Sequence, residues 1–308
     1  MHSYCAAIDF GTNTARLLIV EHSATGIVPV RVEREIVRLG GGFTDEFGLS
    51  VEAQARGLAC FKKFSAIISE YSVTTVWASA TSAVRDAING GEFVATVFQQ
   101  TGIKLFVIDG DSEARLTLKG VLSSLDSATD PLVVLDVGGG STEFTVSSCG
   151  SILFSKSMPI GVVRLTEGFR TNDEMSRRVT SVVEQLKNDV LKSGVSVPND
   201  CDLVGTAGTA TTIAAIKLEM VEYDYTKVNN FTVVRSDISD MLQQLLPLAP
   251  QDRLTVKGLE KGREDLIVAG LMIIITVMDT FGFKCLKVSD FGLLEGLALS
   301  CGSSDDIF

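Results

Sequence analysis

A glycine-centred strand–turn–strand motif that occurs twice sets the tightest limit on what this chain can become. In Pro131–Ser148 an apolar run, Leu132–Leu135, ends in Asp136. Gly138, Gly139 and Gly140 then turn the chain, and Thr142–Val146 reads as a returning strand. Three glycines next to Ser141 and Thr142 let backbone N–H groups crowd around one point, which is how a chain cradles a phosphate, because no Cβ blocks the approach. A single such turn is equally well a tight hairpin with no ligand; its repetition is what points to phosphate. Ala6–Phe10 leads into Asp9-Phe10-Gly11-Thr12-Asn13-Thr14, and Leu17–Val20 is the apolar return. With the two stretches aligned, Asp9 falls on Asp136, Gly11 on Gly138, Thr14 on Ser141 and Arg16 on Glu143. The repeat predicts two similar halves with their glycine turns facing each other over a cleft.

Hairpin geometry sharpens this expectation. A turn centred between Gly139 and Gly140 makes Asp136 and Glu143 cross-strand neighbours, about 5 Å apart at Cβ. Like charges in that relation repel unless a cation sits between them, and oxygen-only ligands point to Mg²⁺ or Mn²⁺. The competing reading has both carboxylates in solvent. In the first half the matching pair is Asp9 with Arg16, which needs no outside cation. The candidate metal ligands are thus Asp136 and Glu143, with Asp9 at the equivalent position. The candidate phosphate contacts are Gly11, Thr12, Asn13, Thr14 and Arg16, then Gly138, Gly139, Gly140, Ser141 and Thr142.

A third Gly/Thr turn, Gly205-Thr206-Ala207-Gly208-Thr209, opens a helix and adds Gly208 and Thr209 to the phosphate candidates. Close packing between helix and strand explains it as well. Asp109-Gly110-Asp111-Ser112-Glu113 starts another helix, with Asp111 or Ser112 as its cap. Glu113 falls in the first turn, where the helix dipole favours the ionised carboxylate that a general base must be. From position alone, an acidic residue there is ordinary helix stabilisation.

The remaining composition narrows the choices. A chain of 308 residues, 45% hydrophobic, suits two domains with real cores. The boundary is expected at the polar connector Asp126–Asp130, giving domains 1–125 and 126–308, with a closing helix in 292–308 that packs back on the first. A formal net charge of −11 argues against nucleic acid or an anionic membrane as the main partner. The six cysteines are scattered, without CxxC, so neither zinc nor a disulfide framework is expected and a reducing cytoplasm is the natural setting. The opening MHSYCAAIDF lacks the features of a signal peptide. Leu266–Met278 is too short to span a bilayer and reads as a buried helix. With only His2 and His22 available, acid–base chemistry falls to carboxylates.

Elsewhere strands alternate with helices. Strands are expected at Val28–Glu33, Val73–Ala78, Leu105–Ile108, Ile152–Ser157, Val228–Val234 and Cys285–Ser289. Helices are expected over Ser50–Tyr71 (capped by Ser50), Phe93–Gln100, Glu174–Ser193, Ser236–Leu246 and Gly292–Leu299. The tail Gly302–Phe308 is expected to fray. The pattern is an α/β protein with two mixed sheets.

Five motifs in order, Asp9-x-Gly11-Thr12-Asn13-Thr14, Glu113-Ala-Arg115-Leu, Asp136-x-Gly-Gly-Gly-Ser141-Thr142-Glu143, Gly161-x-x-Arg164-Leu and Gly205-x-x-Gly208-Thr209, resemble the exopolyphosphatase / guanosine pentaphosphate phosphatase family. The resemblance covers essentially the whole chain, down to Ser289-Asp-Phe-Gly-Leu-Leu-Glu-Gly. It implies two actin-like (ribonuclease H-like) domains facing an interdomain cleft. It also implies hydrolysis of a terminal phosphoanhydride in inorganic polyphosphate or guanosine pentaphosphate (pppGpp), with Mg²⁺. By the family's motifs Glu113 is the base that activates water, Asp136 and Glu143 hold the metal, and Arg85 binds phosphate; relatives are commonly dimers. Longer members carry a C-terminal helical domain that this sequence does not show, which puts long-chain processivity in doubt, and the overall acidity favours short chains or nucleotides over long polymers. Many members have a second glutamate where Ser112 stands. The rivals are a kinase or ATPase of the same superfamily and a non-catalytic sensor of guanosine tetraphosphate or similar nucleotides.

Overall fold

The structure is a computed structural model and describes residues 4–23, 26–73 and 75–301. His2, the side chain of His22 and the tail Gly302–Phe308 lie outside the described residues. Contacts separate the chain into two compact units, one made of the residues up to Gly120 together with those from Gly292, the other of Val121–Phe291.

The first unit runs β1 (Tyr4–Phe10), β2 (Thr14–Ser23), β3 (Gly26–Ile36), α1 (Val51–Glu70), β4 (Thr75–Ala80), α2 (Ser82–Arg85), α3 (Gly90–Thr101), β5 (Leu105–Val107) and α4 (Gly110–Leu122). The second runs β6 (Leu132–Val137), β7 (Thr142–Ser148), β8 (Ser151–Met158), α5 (Val162–Gly168), α6 (Asn172–Ser193), β9 (Asp202–Thr206), α7 (Ala207–Lys217), α8 (Tyr225–Val228), β10 (Thr232–Val234), α9 (Arg235–Leu245), α10 (Pro250–Arg253), α11 (Ile267–Phe281) and β11 (Cys285–Val288). The last helix, α12 (Leu293–Ser300), belongs to the first unit.

The duplication seen in sequence is a duplication of sheets. The first has the order β3-β2-β1-β4-β5 and the second β8-β7-β6-β9-β11-β10. In each, three consecutive strands form an antiparallel meander, and the first of them then pairs in parallel with a strand that follows later in the chain. The glycine turns join the first two strands of each meander.

Alternation along β1 explains why its sheet is covered on both faces. Ala6, Ile8 and Phe10 enter one buried cluster with Phe61 and Phe64 of α1 and Phe93 of α3. Cys5 and Ala7, pointing the other way, join Leu293, Leu294 and Leu297 of α12. Helix α12 lies directly on α4: a Cβ on Gly296 would stand 1.9 Å from the Leu116 carbonyl oxygen. The second unit has one large core, in which Val133, Leu135 and Val137 of β6 and Phe144 of β7 meet α6 and α11. Helix α11 is the apolar run noted in the sequence. No helix among the described residues is long and apolar enough to cross a membrane, and the six cysteines are free thiols.

Local chemistry sets the helix ends. Ser50 Oγ accepts from the Ala53 N–H at 3.2 Å, as its position suggests. Helix α6 opens on a capping box between Thr171 and Glu174 and closes on Gly194 at φ 75°. One expected strand is different. Val228–Val234 divides into the end of α8 and the short β10, because Asp224 accepts from the Thr226 N–H (3.0 Å) to start a helical turn and Asn230 breaks the chain at φ 65°. There the Asx and left-handed preferences outrank the β-branched composition. Strand β2 is also longer than its apolar part and takes in His22.

Candidate active site

In the second unit, Asp136 and Glu143 are directly opposed in the β6–β7 register, as the hairpin reading required. Both are buried. Glu143 Oε1 accepts from Ser157 Oγ at 2.7 Å, Ser157 being its neighbour on β8. On the other side, Asp136 pairs with Thr206 of β9. Among the described residues no group of three or more His, Cys, Asp or Glu is placed to hold a metal ion. A cation here would have two protein carboxylates and would draw its other ligands from phosphate and water. That set fits Mg²⁺, which is usually bound by one or two carboxylates together with substrate phosphates.

The glycine turn beside this pair closes with the Gly138 N–H on the Ser141 carbonyl at 3.0 Å. A Cβ at Gly138 would lie 3.0 Å from the same oxygen. The first unit repeats the turn: the Gly11 N–H donates to the Thr14 carbonyl at 3.0 Å, and a Cβ at Gly11 would lie 3.1 Å from it. Thr142 Oγ1 donates to the Ile160 carbonyl.

In the first unit the charge logic also holds, since Arg16 Nη2 and Nε reach Asp9 Oδ2 at 3.0 and 3.3 Å. Asp9 is therefore neutralised by its own hairpin partner. Asn13 is only 8% exposed, yet its Oδ1 has no hydrogen-bond partner among the described residues. An orphaned polar atom in a turn of this kind is the mark of a place completed by a ligand or water.

A single turn of helix, α2, ties this loop to the candidate base. At its start Ser82 Oγ lies 3.0 Å from Thr12 Oγ1. At its end Arg85 Nη1 donates to Glu113 Oε2 at 3.2 Å and to the Ile108 carbonyl at 3.0 Å. Glu113 itself is buried at the head of α4. Thus Thr12, Arg85 and Glu113, far apart in sequence, are brought together by a four-residue element.

The cap of α4 is Asp109, not Asp111 or Ser112: Asp109 Oδ1 accepts from the Ser112 N–H at 2.8 Å. The aspartate one position before the helix can fold back on the third amide, which the two residues already inside the helix cannot. Hydrogen bonds from the Ser112 backbone, then from its hydroxyl, hold the Asp109 carboxyl below its usual range. A group depressed in the folded state stabilises it fully above the ordinary carboxylate pKa and loses that effect as pH falls through the folded value. Asp109→Ala is therefore expected to cost about 0.5–2 kcal/mol at neutral pH, and less at a pH below the ordinary carboxylate pKa. Denaturant unfolding of both proteins at the two pH values measures this; an equal cost at both would remove the carboxylate from the account.

The third turn has packing reasons for its glycines. A Cβ at Gly205 would come within 2.8 Å of Leu286, and one at Gly208 within 1.7 Å of Arg263 Nη1. Thr209 is buried against Gly270 of α11. Ala207, between them, is held at φ 62°, a left-handed conformation that costs a non-glycine residue about 1–2 kcal/mol.

Sequence reasoning did not find Ser82, Ser157 or the capping role of Asp109. The register of the β7–β8 hairpin, turned at Cys149-Gly150, carries the signal for Ser157. Nothing in the sequence marks Ser82 as the partner of Thr12.

Two sheets of the same strand order, each with a glycine turn between its first two strands, place the chain in the actin-like fold class. A model of the Ppx/GppA phosphatase family matches residues 18–304. The chain is 33% identical to exopolyphosphatase 2 of Mycobacterium tuberculosis, over 96% of this chain and 97% of that protein. It is 36% identical to the bifunctional 3-dehydroquinate synthase/phosphatase of Fusobacterium nucleatum, over 96% of this chain but 46% of that protein, so it spans about half the length of this relative. The crystal structure of an exopolyphosphatase from Cytophaga hutchinsonii superposes with a TM-score of 0.89 at 27% identity, covering 99% of both chains. The Aquifex aeolicus family member gives 0.79 at 29% identity, covering 97% of both. The chain belongs to the Ppx/GppA phosphatase family, hydrolases of phosphoanhydride bonds.

Proposed function

We propose that this chain is an exopolyphosphatase that releases orthophosphate from the end of inorganic polyphosphate, short chains in preference, and from the 5′ end of guanosine pentaphosphate. The observation that carries the reading is the pair of buried carboxylates, Asp136 and Glu143, set opposite each other beside a glycine turn. Relatives named exopolyphosphatase support it. The reaction assigned is in-line attack of water on the terminal phosphoryl group. Glu113 orients the water and takes its proton, and Arg85 holds Glu113 in place and meets phosphate charge. The N–H groups of the turns at 11–14 and 138–142 receive phosphate oxygens. Asp136 and Glu143 would hold Mg²⁺ or Mn²⁺, which when bound neutralises charge on the transferred and leaving groups. Transfer of phosphate from ATP to another acceptor would need room for adenosine at Gly205–Thr209, where the Arg263 guanidinium already lies on Gly208. A cytoplasmic homodimer is the assembly expected of such an enzyme.

The test is phosphate release from tripolyphosphate, long polyphosphate, pppGpp, ATP and ADP with Mg²⁺, with Mn²⁺ and with EDTA. Cation-dependent release from tripolyphosphate is expected, with Asp136→Asn lowering it by at least about 10²-fold, the scale of losing a charge-stabilising group in a dry site. Tight guanosine polyphosphate binding with no release would replace the hydrolase by a sensor. Phosphate appearing on an acceptor instead of in solution would replace it by a kinase.

A further inference from the structure

The three glycine carbonyls of the 138–140 turn all point at one segment. Val162 N–H donates to the Gly138 oxygen at 3.0 Å, and Val163 and Arg164 N–H donate to the Gly139 oxygen at 2.8 and 3.1 Å. The Gly140 oxygen has no amide left to take and is met by a side chain, Arg164 Nε, at 2.8 Å. A trans peptide sets its C=O and the next N–H on opposite sides. Fixing these three oxygens toward α5 therefore turns the N–H groups of Gly139, Gly140 and Ser141 the other way, together. Among the described residues no backbone carbonyl takes any of those three N–H groups.

The first unit has the same device at the equivalent place. Gly40 N–H donates to the Thr12 oxygen at 2.9 Å and Arg38 N–H to the Asn13 oxygen at 2.8 Å. In both units the donors come from the segment that follows the third strand of the meander. They differ at the last carbonyl of the turn. In the first unit a backbone amide secures Asn13, whereas in the second a guanidinium secures Gly140.

We infer that Arg164 is a positioning residue for phosphate binding: its guanidinium holds the Gly140–Ser141 peptide so that the turn offers N–H groups, and no carbonyl oxygen, to a phosphate anion. This places Arg164 behind the loop and not among the side chains that contact substrate. The inference rests on the reading that the 138–142 turn receives phosphate. Without the bond, the Gly140 oxygen is free to swing toward the anion, and Gly139 and Gly140, on the N-terminal side of that peptide, put no Cβ in its way. The loop holds phosphate alike in ground and transition states, so the loss falls on KM and not on kcat.

The test compares wild type, Arg164→Met and Arg164→Lys by steady-state hydrolysis of tripolyphosphate, by calorimetric binding of tripolyphosphate and inorganic phosphate, and by thermal unfolding. Losing a hydrogen bond to a charged donor predicts a KM and a tripolyphosphate Kd raised about 10- to 100-fold in Arg164→Met. Its kcat is expected to stay within about threefold, as for removal of uniform binding. Arg164→Lys, which keeps a cationic donor, recovers part of the affinity. A folded Arg164→Met with unchanged KM and Kd overturns the inference and leaves the hydrolase reading standing. Equal losses in the Lys and Met variants, tracking a loss of thermal stability, also overturn it, since that is a purely structural role. If wild type binds tripolyphosphate but releases no phosphate, the hydrolase reading falls and the binding arm still decides on Arg164. If wild type binds neither phosphate compound, both fall.

Discussion

Glu113→Gln is expected to lower kcat for phosphate release by about 10²–10⁴-fold, the contribution of a positioned general base, while leaving KM for tripolyphosphate nearly unchanged. The substitution isolates proton transfer. Glutamine has the same shape and keeps a carbonyl oxygen that can accept from Arg85 Nη1, now 3.2 Å from Glu113 Oε2. The helix head keeps its Asp109 cap whatever the charge at this position. What glutamine cannot do is take a proton from water. Phosphate-release kinetics measure kcat and KM, and calorimetry confirms that tripolyphosphate still binds. Turnover within about threefold of wild type would mean that no base of this strength acts at position 113, and another group would have to be sought. Arg85→Met gives the complementary result: it leaves the carboxylate but removes the group that aims it, so kcat and KM are expected to change together.

The parts of this molecule that could be read from sequence are those governed by local geometry. The Asp136–Glu143 opposition follows from a period of two and the position of one turn, and the Asp9–Arg16 pair from the same count. The Ser50 cap and the buried helix α11 follow from residue type and hydrophobic run. Contacts between distant segments were not legible in the same way. That Ser82 meets Thr12, or that Arg85 meets Glu113, depends on how the parallel β1–β4–β5 array sets α2 beside the first turn. Resemblance to a family supplied Arg85 and Glu113 as a set; the residues alone left Glu113 an ordinary first-turn acid. The cap of α4 was misassigned because three acidic or hydroxyl residues stand within four positions, and only the backbone conformation decides among them.

Gly161→Ala is expected to cost about 10²-fold in kcat/KM, the scale of moving a binding group by about 1 Å, even though position 161 carries no functional side chain. A Cβ there would stand 2.4 Å from both the carbonyl carbon and the oxygen of Gly139 and 2.5 Å from the carbonyl carbon of Gly140. Carbon atoms in contact sit about 3.5–4.0 Å apart, so either the glycine turn or the start of α5 must retreat by about 1 Å. The obstacle is backbone on both sides, with no flexible side chain to absorb it. Retreat lengthens the bonds from Val162 and Val163 to Gly138 and Gly139, the bonds that aim the turn's amides. It also shifts Gly140, which adjoins Ser141 and stands three residues before Glu143 on the same hairpin. Unlike Arg164→Met, which releases one peptide and leaves the rest of the turn seated, Gly161→Ala displaces the whole turn, so both kcat and KM are expected to suffer. Thermal unfolding should show a lower midpoint as well, because overpacking of this kind costs about 1–3 kcal/mol. Full activity in a folded Gly161→Ala protein would mean that the 138–140 turn tolerates displacement, and so is not the surface on which the phosphate is held.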